Sequence, residues 1–249
     1  ITNPSQILTA LPQALMTMLD PASCGPTFFA LPQDVQAIAF DYPAEFFNET
    51  IHEIPRPRPD LNELNKCVAL INNAKRPVLV AGGGVHYSLA EKELAAFAKE
   101  QQIPVVETMA GKSSLPWSNP LLVGPLGVTG SDPVNQLVSE SDLIITIGTR
   151  LQDFTTGSWT LFSEKNIVAI NAARFDATKR RASAVVGDAL ATISELRIQV
   201  KPTNRADWIA RAKSLKNSNV VLRTSREKLK SELPTYAQVV IAANETARP

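Results

Sequence analysis

The feature that most constrains the fold is a series of short, largely apolar segments that alternate with helical patterns and glycine-rich turns. The segments are Pro77–Ala81, 103–106, Leu143–Ile147, 167–170 and 184–186. None of them alternates polar with apolar residues, which is typical of strands buried on both faces of a parallel sheet. We therefore predict an α/β fold with a doubly wound, mostly parallel sheet of Rossmann-like arrangement, in which Pro77–Ala81 and Leu143–Ile147 are central strands.

Capping residues indicate where the helices between these strands begin. Asp60 and Ser88 are each followed three residues later by a glutamate, which is the pattern of a capping box. Asp132 precedes a proline, a residue favoured at the first helical position. Asp188 precedes a run with helical spacing and is predicted to cap it.

Prolines mark a boundary ahead of this region, because residues 55–59 alternate proline with arginine and so favour an extended, stiff linker. Residue patterns at both ends of the chain also stop short of a complete domain. We therefore expect an internal piece of a longer protein. Its predicted parts are the end of one domain (1–50), a proline-rich linker (51–60), a middle α/β domain (61–200), and a helical linker with the start of a further domain (201–249).

The flanking segments carry weaker patterns. We predict a helix over 6–19 and a short buried strand over 27–30 ahead of the linker. Beyond residue 200, we predict basic helices over 206–216 and 221–232 and a further helix that starts near Thr235. We expect these flanks to pack more loosely than the middle domain.

Composition narrows the class of protein. The chain has 25 Lys and Arg against 24 Asp and Glu, a balance that argues against nucleic acid as the main partner. The basic C-terminal region is better explained as a solvated helix face than as a nucleic-acid arm. No apolar run is long enough to span a bilayer. The two cysteines give no disulfide framework, so a cytoplasmic location is expected.

Glycines gather where the predicted strands end, which is where open parallel sheets bind ligands. They indicate either a nucleotide-sized site or tight turns, and their spacing alone favours turns. The two standard phosphate motifs are absent, because a dinucleotide fingerprint would need glycine at Tyr87 and a P-loop would need glycine at Val106. This argues against a standard dehydrogenase or kinase. The glycines are Gly82–Gly84, Gly111, Gly127, Gly130, Gly148 and Gly187.

Hydrolytic or metal chemistry has few candidate residues. His52 and His86 are the only histidines, too few for a histidine-rich zinc site. His86 follows the glycine turn and Glu107 ends a strand, but a surface turn and an ion pair or solvation explain them better than catalysis does. We assign no catalytic residue and no metal ligand to this chain.

Three stretches resemble thiamine-diphosphate-dependent enzymes of the acetolactate synthase type. They are GPTFFALPQDVQ at 25–36, similar to the end of the pyrimidine-binding domain, GTRLQDFTTG at 148–157, similar to the middle-domain element G-x-R-x-x-D-x-x-T-G, and PTYAQ at 234–238, similar to the entry of the diphosphate-binding domain. Within the family, the stretches most similar to the ring-opening hydrolases of myo-inositol degradation are DYP at 41–43, TGS at 129–131 and LQDFTTGSW at 151–159.

The resemblance implies a full-length enzyme that uses thiamine diphosphate and Mg²⁺ to hydrolyse a C–C bond of trihydroxycyclohexane-1,2-dione, giving 5-deoxyglucuronate. It implies a small-molecule substrate and a homodimer or homotetramer. The activating glutamate would lie upstream of residue 1, and the magnesium and diphosphate signature downstream of residue 249, so the chain alone is expected to be inactive. The alternatives are a carboligase or decarboxylase related to acetolactate synthase, or a stand-alone nucleotide-binding module.

The resemblance also implies a ligand site in the middle domain, since this domain holds FAD in acetolactate synthase and an adenine nucleotide in oxalyl-CoA decarboxylase. Arg150 would contact the anion through its guanidinium. The alternative, favoured because the hydrolase needs no redox cofactor, is a vestigial site with a structural Arg150–Asp153 ion pair. The candidate contacts by matched motif are Gly82, Gly83, Gly84, Thr108, Gly130, Gly148, Arg150 and Asp153.

Overall fold

The structure is a computed structural model that describes residues 1–230 and 232–247. Its centre is a six-stranded sheet in the order β3-β2-β1-β4-β5-β6, and every neighbouring pair is parallel. The predicted doubly wound α/β fold is therefore confirmed, with β1 and β4 at the centre. The strands are β1 (Pro77–Ala81), β2 (Val105–Glu107), β3 (Leu122–Pro125), β4 (Leu143–Ile147), β5 (Asn166–Asn171) and β6 (Ser183–Val186).

The sequence patterns predicted five strands and missed β3. This strand contains Gly124 and ends at Pro125, two residues that are typical of turns. It lies at the edge of the sheet, where a proline is tolerated because one side of the backbone needs no partner.

Helices cover both faces of the sheet. No helix within residues 1–230 and 232–247 is long and apolar enough to cross a membrane. The helices are α1 (Ile7–Leu19), α2 (Gln33–Gln36), α3 (Leu61–Asn73), α4 (Gly83–Tyr87), α5 (Glu91–Gln101), α6 (Asp132–Glu140), α7 (Asp153–Thr156), α8 (Arg174–Ala177), α9 (Ala189–Gln199), α10 (Ala206–Glu227) and α11 (Tyr236–Thr246).

The sheet separates two apolar cores. Successive side chains of a strand point to opposite faces, so Leu79 of β1 packs with α3, α5 and α9 while Val80 packs with α6 and α10. Both side chains are fully buried. This explains why the strand sequences are largely apolar and show no regular alternation.

Helix α10 corrects the expectation of a loosely packed C-terminal flank. It is one continuous helix in place of the two predicted, and its first half packs against the sheet. Trp208 is 5% exposed and its indole N–H donates to the carbonyl oxygen of Pro77 at 2.7 Å. The buried positions, Trp208, Ala212 and Leu215, are widely spaced among charged residues, which hid the apolar face. Residue 231, in the second predicted helix, lies outside the described residues.

The strand predicted over 27–30 does not form. Phe28 is 90% exposed, and none of the described strands lies alongside this segment. A strand needs a neighbour that pairs with its backbone N–H and C=O groups, and here there is none among the described residues. The helix predicted just before it is confirmed as α1.

Three of the predicted caps can be compared with the structure directly. Asp60 accepts hydrogen bonds from the N–H groups of Asn62 and Glu63, and Asp188 accepts one from Ala191, so both caps are confirmed. The predicted Ser88 cap is wrong, because α5 begins at Glu91 with Ala90 at the N-cap position and has no side-chain cap hydrogen bond. The Ser88 hydroxyl donates to the Asp188 carboxylate at 2.6 Å.

Candidate functional site

A cavity of about 710 Å³ lies at the carboxyl ends of β1, β4 and β5. The strand order reverses between β1 and β4, and in doubly wound sheets ligands bind at this position because the loops on either side diverge. Helix α4 and the loops after β2, β4, β5 and β6 form the walls. Residues 21–24 of the N-terminal segment form the remaining side.

Glycines allow two turns to cross closely on the floor of this cavity. The N–H of Gly84 donates to the carbonyl oxygen of Gly148 at 2.9 Å. A Cβ on Gly148 would collide with the backbone of Gly84, and Gly148 also has a φ of +62°, which favours glycine. A Cβ on Gly82 would collide with the Gly148 carbonyl. Close packing therefore accounts for these three glycines without a ligand.

The structure brings five of the eight candidate residues to the cavity wall and leaves three elsewhere. Gly82 precedes α4 without lining the cavity, and Gly130 lies in the turn before α6, where its N–H donates to Gly127. Asp153 lies in a separate shallow cleft beside Trp159 and Arg180. The five that line the cavity are Gly83, Gly84, Thr108, Gly148 and Arg150.

Arg150 carries an unpaired positive charge at this wall. Its side chain is exposed, and within the described residues its guanidinium makes neither a hydrogen bond nor an ion pair, so the considered Arg150–Asp153 pair is not formed. The two carboxylates at the cavity are both neutralised. Lys179 lies 2.6 Å from Asp176, and Arg56 lies 3.0 Å from Asp188. The excess charge of the wall is therefore positive, which suits an anionic ligand.

Asp188 joins the linker to the cavity wall. Its side chain is 1% exposed and accepts from Arg56 at 3.0 Å, from the Ser88 hydroxyl at 2.6 Å and from the Ala191 N–H at 3.0 Å. The Asp188 N–H donates to the Pro57 carbonyl at 2.8 Å. The proline-rich linker is thus held against the domain. The sequence gives no local signal for this contact, because Arg56 and Asp188 are far apart along the chain.

Further polar groups on the walls are used internally. The Thr108 hydroxyl oxygen accepts from the Gly111 N–H at 3.1 Å, and the Asn171 amide donates to the Thr149 carbonyl at 3.1 Å. His86 and Glu107, which the sequence raised as candidates, lie behind the loop that follows β2 and do not line the cavity. In residues 1–230 and 232–247, no group of three or more His, Cys, Asp and Glu could hold a metal ion.

Several relatives are similar in sequence to this chain over most of its length. One, from Clostridium perfringens (strain ATCC 13124), is named 3D-(3,5/4)-trihydroxycyclohexane-1,2-dione hydrolase and is 40% identical over 206 residues, covering 82% of this chain and 32% of the relative. A protein of the same name from Geobacillus thermodenitrificans is 42% identical, covering 79% of this chain and 31% of the relative. Another, from Listeria monocytogenes, is 35% identical, covering 100% of this chain and 43% of the relative. The chain thus spans about a third of the length of the first two.

The middle of the chain also matches a family model. Residues 64–196, more than half of the chain, match the central domain of the thiamine pyrophosphate enzymes. These residues include most of α3, all six strands and most of α9, the region that forms the parallel sheet and most of the cavity wall. The chain therefore belongs to the thiamine pyrophosphate enzyme family and contains its central domain.

Proposed function

We propose that this chain is the central part of a thiamine-diphosphate-dependent hydrolase that opens the ring of trihydroxycyclohexane-1,2-dione in myo-inositol degradation, giving 5-deoxyglucuronate. The observation that carries the proposal is the shared name of relatives that are 35–42% identical over 76–100% of the chain. The full-length protein would act on this small cyclic substrate as a homodimer or homotetramer.

The described residues do not fit the magnesium part of the cofactor site. No cluster of carboxylates and histidines within them is suitable for a metal ion. Glu107, the buried acid at the end of β2, is already bonded to the Ser113 N–H at 2.9 Å. We therefore place thiamine diphosphate and Mg²⁺ in other parts of the full-length protein. The role of this chain is that of a scaffold that carries a separate cavity.

We expect the purified 249-residue chain to have no hydrolase activity with thiamine diphosphate, Mg²⁺ and the cyclic dione, because it spans about a third of its relatives and matches the central domain. Release of the ring-opened acid would be followed by mass spectrometry. A full-length relative is the positive control. Turnover above the protein-free background would contradict the expectation.

The same assay on the full-length protein separates this proposal from the carboligase alternative. Conversion of the dione to a ring-opened acid supports the hydrolase. Conversion of pyruvate to acetolactate, with no reaction of the dione, would support the alternative.

A second proposed function is binding of an adenine nucleotide in the cavity. It is favoured by one observation, the unpaired Arg150 guanidinium on the wall of a 710 Å³ cavity at the point where the strand order reverses. A guanidinium forms bidentate hydrogen bonds with phosphate oxygens.

We expect Arg150→Ala to weaken nucleotide binding by roughly ten- to a hundredfold, because a charge-assisted hydrogen bond contributes about 1.5–3 kcal/mol. ADP, FAD and NAD would be titrated into each protein by calorimetry. Arg226→Ala, an exposed arginine on α10 away from the cavity, is the matched control and should bind as the wild type does.

Two outcomes would count against this binding site. If the wild-type chain binds none of the three nucleotides, the cavity is a vestigial site. If Arg150→Ala binds as tightly as the wild type, the nucleotide lies elsewhere.

A further inference from the structure

His86, at the end of α4, lies between groups that can only accept hydrogen bonds. Its Nδ1 is 2.8 Å from a carboxylate oxygen of Glu91, and its Nε2 is 2.9 Å from the carbonyl oxygen of Lys112. The Ser114 hydroxyl, 3.5 Å from Nε2, donates its own proton to the Gly111 carbonyl at 2.6 Å. A neutral imidazole has one N–H, so only the doubly protonated ring can make both hydrogen bonds.

The charges around the ring favour this cationic form. Glu91 on α5 is bonded to the ring, Glu107 on β2 interacts electrostatically with it, and the ammonium of Lys112 interacts with Glu107. The hydrogen bond that the His86 ring donates to Glu91 raises the pKa of His86 above its ordinary value, although burial partly opposes the shift. Burial raises the pKa of Glu107, and the Ser113 N–H and the charges of Lys112 and His86 oppose that shift.

The loop that His86 contacts forms part of the cavity. Residues 108–110 line the cavity, while Lys112 and Ser113 at the far end of the loop bond to His86 and Glu107. Ser113 has a φ of +71°, a left-handed conformation that is unfavourable for serine and needs support from its surroundings. The two hydrogen bonds to His86 and Glu107 provide that support.

We infer that His86 acts as a pH-sensitive latch, which holds the 108–114 loop against α4 and fixes one wall of the cavity while its ring is doubly protonated. Loss of one ring proton leaves a single donor for two acceptors, so either the Glu91 or the Lys112 hydrogen bond breaks. The charged Glu91 carboxylate keeps the remaining proton, so the hydrogen bond to the Lys112 carbonyl breaks and the loop keeps only the bond between the Ser113 N–H and Glu107 on this side. The latch requires neither a bound nucleotide nor hydrolase activity.

The sign of the pH effect follows from the raised pKa. The folded state binds the second proton of His86 more tightly than the unfolded chain does. The stabilisation is therefore complete below the unfolded-state value of about 6.5 and disappears as the pH rises through the raised folded-state pKa. The contact with the Lys112 carbonyl is therefore made below the raised pKa of His86 and is lost above it.

The test is an NMR titration of the full 249-residue chain from about pH 5 to about pH 9, which brackets the ordinary histidine pKa. Imidazole ¹⁵N shifts would report the protonation of His86. The chain has two histidines, so the resonances that remain in the His52→Gln variant are those of His86. Amide shifts of residues 111–113 would report the loop. We expect the ring and the loop to change with the same midpoint.

Variants test whether protonation of the His86 ring and the change in the loop are coupled. Glu91→Gln should lower the midpoint of His86 and of the loop together, and His86→Gln should abolish the loop transition. Lys112→Gln is the matched control, since it keeps the carbonyl acceptor and should keep the two midpoints equal. Loop amides that do not follow the His86 ring, or a transition that persists in His86→Gln, would overturn the inference. The titration contains no nucleotide, so its result is independent of the proposed binding site.

Discussion

Replacing Trp208 with alanine is expected to lower the free energy of unfolding by about 3–5 kcal/mol, the range for buried aromatic residues. The side chain is 5% exposed and fills the core between α10, α6 and the sheet. Its removal leaves a cavity and takes a hydrogen bond from the Pro77 carbonyl at the start of β1. Urea unfolding followed by far-ultraviolet circular dichroism would measure the change as a lower midpoint.

Trp117→Ala is the matched control. Trp117 is 43% exposed, and its ring contacts the Lys216 ammonium at 4.9 Å. We expect a loss of about 0.5–1 kcal/mol, the value of an exposed cation–π contact. A Trp208→Ala change as small as this would mean that α10 does not pack on the sheet in solution.

Replacing Asp188 with alanine is expected to destabilise the chain by about 2–4 kcal/mol, because it removes the N-cap of α9, worth about 1 kcal/mol, and leaves the buried Ser88 hydroxyl without its acceptor, at a cost of about 1–3 kcal/mol. The carboxylate has three partners on three elements: Arg56 of the linker, Ser88 after α4 and Ala191 of α9. The same urea titration measures the loss. In addition, hydrogen exchange at residues 56–59 should become faster, since the linker loses its anchor.

Two further variants distinguish the parts of this contact. Asp188→Asn keeps an acceptor for Ser88 and Ala191 but removes the charge, so it should destabilise the chain less than alanine does. Glu195→Ala breaks the exposed pair with Arg58, whose side chain is 80% exposed, and should have an effect of no more than about 1 kcal/mol. If Asp188→Ala and Glu195→Ala have equal effects, the buried contact is not an anchor.

Local features of the sequence predicted most of the middle domain. The apolar strands β1 and β4 and the caps Asp60 and Asp188 depend on neighbouring residues, and the structure confirms them. Strand β3 was missed because glycine and proline outweigh its short apolar run. The packing of α10 was missed because its buried face depends on a surface that is formed by distant parts of the chain.

The residues of the candidate site were also predicted only in part. Motif resemblance led to Arg150, which lines the cavity, but also to Gly130 and Asp153, which do not. The matched motif covers neighbours in sequence, whereas a cavity collects residues from several loops. The contact between Arg56 and Asp188 and the surroundings of His86 depend on long-range packing, for which a single sequence carries no pattern.

The order of the strands has a consequence for synthesis on the ribosome. β1 emerges first but ends in the middle of the sheet, where it pairs with β2 on one side and with β4 on the other. β1 can pair with β2 soon after both are synthesised. Its other edge stays unpaired until β2, β3 and α6 have been made and β4 follows. An apolar strand with an open edge is prone to pair with other chains. The nascent chain is therefore most exposed to misassembly in the interval before residues 143–147 leave the ribosome, and this interval closes when β4 binds to β1.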